Sequence, residues 1–280
     1  MIDARPLSLS WDLRTPLQGR SYCAGRSLPD WLKEVRSLRG SVLFDNGRRR
    51  HFRTEEGRFF DADPIDLYGY HILAYDAMRL IGCVRVYSLV SNHFSCVTEQ
   101  ILGEKTFSEM LHKLGAQRTE TVEIGRWIVH PAYRASGRPA VQLAAASAAL
   151  AITLGNGSLV KRGIVLCSAG TGDRQDLMLA RIGLAAVPVT KPIKCDKFKD
   201  TLRVMYCINT QQLNPRFLRI MGEMAKTIGL TKALCEIPPL IQPKTTEAEQ
   251  LAPFRVGDDA QRLRQFLGLS LRPARFVDPG

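Results

Sequence analysis

Apolar residues recur along this chain at two spacings, and these lay out most of its elements. Leu28, Trp31, Leu32, Val35 and Leu38 share one face of a helix predicted over Leu28–Arg39, with Asp30 near its start to favour the helix dipole. Two strands follow, Gly69–Tyr75 and Gly82–Val90, joined by a short turn through Asp76–Leu80. Phe107–Leu114 has the spacing of a short helix, and Glu120–Val129 alternates as a strand that stops at His130-Pro131. The pattern then becomes α/β in character. An Ala-rich helix, Pro139–Leu154, ends at Gly155-Asn156-Gly157 and leads to a strand, Gly163–Cys167. A helix over Asp173–Ile182, short strands at Leu184–Val189 and Thr201–Ile208, and a helix over 213–230 complete this part. Residues 1–25 mix Pro, Gly and Ser with Trp11 and Tyr22 and read as an irregular N-terminal arm. The Pro-rich segment Ile237–Lys244 sets off a tail with one more helix, Asp258–Leu267, and no internal repeat is visible.

The bulk numbers narrow the class. At 280 residues the chain is long enough for one large domain with an extension. No segment reaches the roughly 18 consecutive apolar residues a membrane span needs, and the polar start MIDARPLSLSWDLR has no apolar signal core. The expected location is the cytoplasm. Seven cysteines are scattered without a C-x-x-C pair, several inside apolar runs, which suits reduced core residues. Neither they nor the five histidines have metal-ligand spacing, so no metal is expected. The net charge of +12 says more. Basic residues bunch in Gly47–Arg58 and Lys191–Lys199, a surface that attracts nucleic acid, an anionic membrane or an acidic protein. No nucleic-acid motif and no stacking pattern of aromatics accompany the charge. An acidic carrier protein is an equally good partner, with peripheral membrane contact left open.

The stretch Thr121–Ala140, TVEIGRWIVHPAYRASGRPA, gathers the candidate chemistry. A strand that enters a helix N-terminus through an Arg/Gly loop presents several unpaired backbone N–H groups at one point, which suits a phosphate. A carboxylate lies one strand-length away, a pairing that suggests group transfer from a phosphopantetheine-type carrier. Glu123 and Arg126 are three apart on this strand, so their side chains face opposite ways unless a bulge intervenes. A bulge would re-aim one of them and free a backbone N–H for an oxyanion. The competing structural expectation pairs Glu123 with an arginine on a neighbouring strand. Asp61-Ala62-Asp63 admits a metal-binding D-x-D or a turn, and Tyr133 a general acid or a loop anchor. Met205, Met221 and Met224 suit core filling.

The order Arg…Asp63-x-x-Asp66…Gly82-Cys83-x-Arg85…Glu123-x-x-Arg126 resembles the acyl-homoserine-lactone synthases and the long-chain N-acyl amino acid synthases, both of the GNAT superfamily of N-acyltransferases. The resemblance covers roughly Arg36–Asn209. It implies an α/β (α+β) fold with a central, mostly antiparallel sheet, flanked by helices and splayed where the donor's pantetheine arm inserts. It implies Glu123 as general base on an acceptor amine, through water, and an ion-pair network of Asp63, Asp66, Arg85 and Arg126 that orders the pockets. The edge Trp127, Ile128 and Val129 would bind the arm and supply the oxyanion donor. Arg134, Ser136, Gly137 and Arg138 would take the donor's phosphate.

Two departures refine these expectations. The superfamily's phosphate loop usually reads Arg/Gln-x-x-Gly-x-Gly/Ala, whereas Arg134–Arg138 here runs into Pro139, which offers no N–H. That favours a carrier protein, with its single phosphodiester, over coenzyme A. Arg39 holds the arginine position, but the tryptophan of the lactone synthases is missing before Asp63, and the stretch from 211 onwards is foreign to them. The expected organisation is an arm (1–25), a GNAT-like acyltransferase domain (26–210) and a helical extension (211–280). The expected activity moves a fatty acyl group from acyl carrier protein, or acyl-CoA, to the amine of an amino acid or related small molecule, with no tightly bound cofactor. The alternatives are a lactone synthase, or a non-catalytic acyl-carrier-binding protein of the same fold.

Overall fold

The computed structural model describes residues 7–17, 28–91, 94–155, 164–188, 190–208 and 213–230. The elements run β1 (Leu9–Arg14), α1 (Asp30–Phe44), β2 (Tyr70–Asp76), β3 (Arg79–Ser88), α2 (Val97–Leu102), α3 (Glu104–Lys113) and β4 (Thr121–Val129). Then come α4 (Arg138–Gly155), β5 (Ile164–Gly170), α5 (Gln175–Ile182), β6 (Ala185–Ala186), β7 (Ile193–Cys195), β8 (Asp200–Cys207) and α6 (Pro215–Thr227). The strands form one sheet in the order β1-β2-β3-β4-β5-β8-β6, with β7 also beside β8. Among the described strands only β4 and β5 pair in parallel. This is the mostly antiparallel, helix-flanked sheet that the sequence suggests.

Helices cover both faces. On one, Leu143, Ala145, Ala149 and Leu150 of α4 pack on Ile72, Val84, Val86 and Val122 of the sheet. Alanine has no side chain beyond Cβ, so α4 lies close to the strands. Met205 of β8 and Met221 and Met224 of α6 close the same core. On the other face α1 covers Leu73, Cys83 and Ile128. Phe107, Met110 and Leu111 of α3 cover Tyr87, Ile164 and Leu166 beside it. Cys83, Cys96, Cys167 and Cys207 are buried as small hydrophobes, and burial pushes the Cys83 thiol up to about 12.

Several expectations need correction. The N-terminal arm is not irregular throughout, because Leu9–Arg14 pairs with β2 from Leu9↔Asp76 to Arg14↔His71 as an edge strand. Its six residues are too few to show a period, and only β2 defines it as a strand. The strand expected over Leu184–Val189 shrinks to Ala185–Ala186 against β8. Helix α2 carries no sequence signal, since Cys96 at its N-cap gives no side-chain hydrogen bond. The stretch from 211 packs with the sheet as far as it is described: Leu213, Phe217, Met221 and Leu230 lie in the same core as α4. The helix expected over Asp258–Leu267 falls outside the described residues.

One close approach sets the distance between α1 and the acidic loop that follows it. A Cβ on Gly40 of α1 would lie 2.2 Å from the backbone nitrogen of Phe60, so only glycine lets the two chains touch. The Asp61 N–H, next along, donates to the Arg36 carbonyl at 3.1 Å. Gly40→Ala should therefore lower stability by about 1–3 kcal/mol through overpacking, despite alanine's better helix propensity. Urea unfolding of the two proteins checks this, and an unchanged or raised midpoint would contradict the contact.

Candidate active site

Strand β4 carries the bulge that the Glu123/Arg126 spacing calls for. Arg85 of β3 lies opposite Gly125 and Cys83 opposite Ile128, so Val84 alone faces the two residues Arg126 and Trp127. Arg126 takes φ 55°, a left-handed conformation uncommon for a residue with a side chain. The extra residue turns Arg126 onto the face that Glu123 and Arg85 share. Ile124 and Trp127 point the other way, against the α4 core.

On that shared face four arginines meet three aspartates. Arg39 of α1 binds both Asp66 oxygens, Nη1 to Oδ1 at 2.8 Å and Nη2 to Oδ2 at 2.6 Å. Arg36 Nε adds a contact to Asp66 Oδ2 at 3.0 Å. Arg85 Nη1 sits 2.9 Å from both Asp63 Oδ2 and Asp66 Oδ1. Arg126 Nη2 donates to Asp63 Oδ2 at 2.9 Å. Asp61 Oδ2 lies 3.0 Å from Arg39 Nε and from Arg126 Nε, close enough to pair but off the line of either N–H. The four expected members, Asp63, Asp66, Arg85 and Arg126, are thus brought together. Arg36 and Asp61 are additions that no local pattern announces. Burial opposes the charge on Asp66, but Arg39 and Arg85 outweigh it and hold the carboxyl far below its usual range.

Glu123 is elsewhere on this face and is not paired with an arginine among the described residues, contrary to the structural expectation. It is buried, and its carboxylate caps α2 from across the fold. Oε2 accepts from the Val97 N–H at 2.9 Å. Oε1 accepts from the Thr98 N–H at 2.7 Å and from Thr98 Oγ1 at 2.6 Å. The helix that lacks a cap in its own sequence takes one from a strand 26 residues away.

Beside Glu123 the sheet opens. The parallel pairing of β4 and β5 ends at Glu123↔Leu166, while β4 continues to Val129 and β5 to Gly170. Backbone groups on the β5 side of Ile124–Val129 are left without a strand partner. A cavity of about 500 Å³ passes through this gap, within the usual range for a small-molecule site. Glu123, Arg126, Arg49 and Asp45 border it on the α1 side. Ala144, Ala148, Ile152, Met178 and Leu184 line it beyond. Of the expected donor-binding residues, Trp127, Ile128, Val129, Arg134 and Gly137 line the cavity, whereas Ser136 and Arg138 are exposed outside it. Gly137 turns at φ 65° into α4. Arg134 Nε ties the loop to the Val129 carbonyl at 3.0 Å. Tyr133 anchors the loop, its hydroxyl donating to Asp76 Oδ2 at 3.1 Å.

The two basic segments meet at the wall of this cavity, which Arg49 and Phe198 both line. Arg48 Nη2 donates to the Lys199 carbonyl at 2.8 Å, and Arg49 Nε donates to that of Phe198. The Phe198 ring lies 5.2 Å from the Arg126 guanidinium carbon, a cation–π contact.

Residues 38–144 match the model of the acetyltransferase (GNAT) domain. Over this stretch the chain is similar to a GNAT acetyltransferase domain. The match takes in Arg39, the three aspartates, Glu123, Arg126 and the loop into α4. No curated protein matches by sequence. Among solved structures, the chain is similar to TofI in a ternary complex with an inhibitor and MTA, at 19% identity over 74% of this chain and 99% of that one, TM-score 0.49. It is similar to a CoA-dependent acyl-homoserine lactone synthase, BjaI, with MTA, at 16% identity over 92% and 99%, TM-score 0.49. A third is FeeM, an N-acyl amino acid synthase from uncultured soil microbes, at 10% identity over 72% and 93%, TM-score 0.43.

The cluster yields two expectations. Asp66→Asn in this domain leaves three arginines short of their shared anion and should cost about 3–5 kcal/mol, read as a lower urea midpoint. His71, buried beside it, donates from Nε2 to the Asp66 carbonyl at 2.9 Å. Burial, with Arg39 adding to it, lowers its pKa from 6.5 to about 4. Above pH 6.5 both folded and unfolded chains hold it neutral, so its titration adds no cost there. As pH falls from 6.5 to 4 only the unfolded chain takes up the proton, and about 3 kcal/mol of stability is lost. His71→Gln keeps an N–H donor without the titration. The slope of unfolding free energy over this window should flatten in the variant, and an unchanged slope would remove His71 from it.

Proposed function

We propose that this protein transfers a fatty acyl group from a phosphopantetheine thioester to the amine of a small molecule such as an amino acid. The observation that carries this is the gap between β4 and β5. It has free backbone on the β4 edge for an extended arm, Glu123 at its inner end and an apolar cavity beyond. An arm lying along Ile124–Val129 would add a strand's hydrogen bonds to the sheet. A backbone N–H freed by the bulge at Arg126 would meet the oxyanion as it develops. Arg134, Ser136, Gly137 and Arg138 stand at the outer end, where the phosphate would lie.

Acyl carrier protein is the favoured donor. Pro139 withholds one phosphate-binding N–H from the first turn of α4, and the chain's charge of +12 suits an acidic surface. The rate should favour the carrier-bound donor over acyl-CoA of the same chain and should fall as salt is added. Equal kcat/KM for both donors at two ionic strengths would refute that choice. The cavity beyond the gap should favour chains of about eight carbons or more, since each buried methylene adds about 0.8 kcal/mol, roughly four-fold in affinity. A preference for acetyl would rule out the long-chain assignment.

Glu123 acts as the base in this proposal, and its cap on α2 changes how that is tested. A non-catalytic carrier-binding protein would keep the same carboxylate for the cap alone. Glu123→Gln turns an NH₂ toward a backbone N–H of α2, so the melting temperature falls in either case. The two roles separate in turnover. With Glu123 as base, kcat falls about 10²–10⁴-fold and recovers partly at high pH, where the amine is neutral in solution. A folded variant with wild-type kcat would leave Glu123 as a cap only.

A further inference from the structure

A chain of hydroxyls joins the cavity wall to Glu123. Ser168 of β5 borders the cavity and is half-buried, whereas Thr98 is fully buried behind it. Ser168 Oγ lies 2.9 Å from Thr98 Oγ1, which lies 2.6 Å from Glu123 Oε1. The direction of these bonds follows from the number of protons. An ionised carboxylate can only accept, so Thr98 directs its one hydroxyl proton at Glu123. Thr98 Oγ1 can then only accept from Ser168, and Ser168 directs its own proton at Thr98. What Ser168 presents to the cavity is a lone pair.

The position suits a reacting amine. Leu166, two residues before Ser168, is the last β5 residue paired with β4, and its partner is Glu123. Alternation along β5 puts Ser168 on the Glu123 side, at the point where the strands part. Glu123 is less accessible, at 2% exposure with three donors already on its oxygens.

We infer that Ser168 is the group that takes the acceptor amine's proton, passing its own through Thr98 to Glu123. The step rests on the acyl-transfer function proposed above, and it replaces a water between base and amine with two side chains. One proton leaves the bound ammonium for Ser168 Oγ, the Ser168 proton moves to Thr98 Oγ1, and the Thr98 proton moves to Glu123. The freed nitrogen lone pair attacks the thioester carbonyl carbon and forms the C–N bond. When the tetrahedral intermediate collapses the C–S bond breaks, and the leaving thiolate takes one of the two protons on the positively charged nitrogen, the other staying as the amide N–H. The products are amide and thiol, and Glu123 later returns its proton to solvent by the same chain.

The test compares the full-length wild type with Ser168→Ala and Ser168→Thr, using a long-chain acyl carrier protein thioester and a panel of amino acids. Ser168→Ala should lower kcat about 10²–10⁴-fold with the donor KM and melting temperature little changed. Ser168→Thr keeps the hydroxyl and should recover most of the rate. In mixtures of H₂O and D₂O the wild-type rate should vary with a curved dependence, from several protons in transit, and the residual rate of Ser168→Ala linearly. Wild-type kcat in Ser168→Ala, or a loss in Ser168→Thr as deep as in Ser168→Ala, would overturn the relay while leaving Glu123 as base. Absence of any amide product from the wild type would overturn the acyl-transfer function and the relay with it.

Discussion

The left-handed turn at Arg126 is the constraint on which the rest of the site depends. A regular strand would send Glu123 and Arg126 to opposite faces and leave the acidic loop without its partner on β4. The turn costs of order 1–3 kcal/mol for a residue with a Cβ. Contacts to Asp61 and Asp63, and the Phe198 ring over the guanidinium, hold it in place. One extra residue in one strand thus brings α1, the Asp61–Asp66 loop and β3 to a single point. The same bulge interrupts regular pairing on one side of β4, near where β5 leaves it on the other.

The buried cluster is better understood as a positioning device than as a source of stability. Desolvating seven charged side chains is expensive, and their mutual attraction recovers that cost without a large surplus. Each arginine is nonetheless tied to one direction by two or more oxygens, which a hydrophobic packing of equal volume would not achieve. Arg39 reaches Asp66 and the Asp61 carbonyl, and Arg36 reaches Asp66 and the Asp63 carbonyl. These bonds fasten α1 to the wall of the cavity from which Arg126 projects. With four arginines to three aspartates the cluster itself keeps one positive charge in excess.

What could be read from the chain, and what could not, divides by the range of the forces involved. Strands β2 to β5 and helices α4 and α6 are long enough for their period to show. The motif residues Asp63, Asp66, Arg85, Glu123 and Arg126 follow from their order along the chain. Even the bulge is legible, because the spacing of Glu123 and Arg126 needs one. Strand β1 is not, since an edge strand of six residues depends on the partner it meets. Helix α2 is not, since its cap comes from Glu123. Arg36 and Asp61 belong to the cluster only because Gly40 lets α1 touch the loop, and nothing local marks that contact. Thr98 and Ser168 are 70 residues apart, and only folding brings these two ordinary hydroxyls into contact.

The cap that Glu123 forms and the base role proposed for it make different demands, since a carboxylate engaged by three donors has less freedom to move. The geometry favours their combination. Catalysis by a base needs a fixed acceptor, and backbone N–H groups fix an oxygen more rigidly than flexible side chains do. Val97 and Thr98 supply two such groups from the first turn of α2, while Thr98 also supplies the hydroxyl that leads outward. A proton arriving at Glu123 would weaken its hold on the α2 N-terminus, because a neutral carboxyl accepts less strongly than an anion. Each proton taken up would therefore loosen the wall next to the reacting centre, and each one returned would reset it. The short helix and the strand that caps it thus form one unit, in which the protonation of Glu123 would also set the state of the adjoining wall.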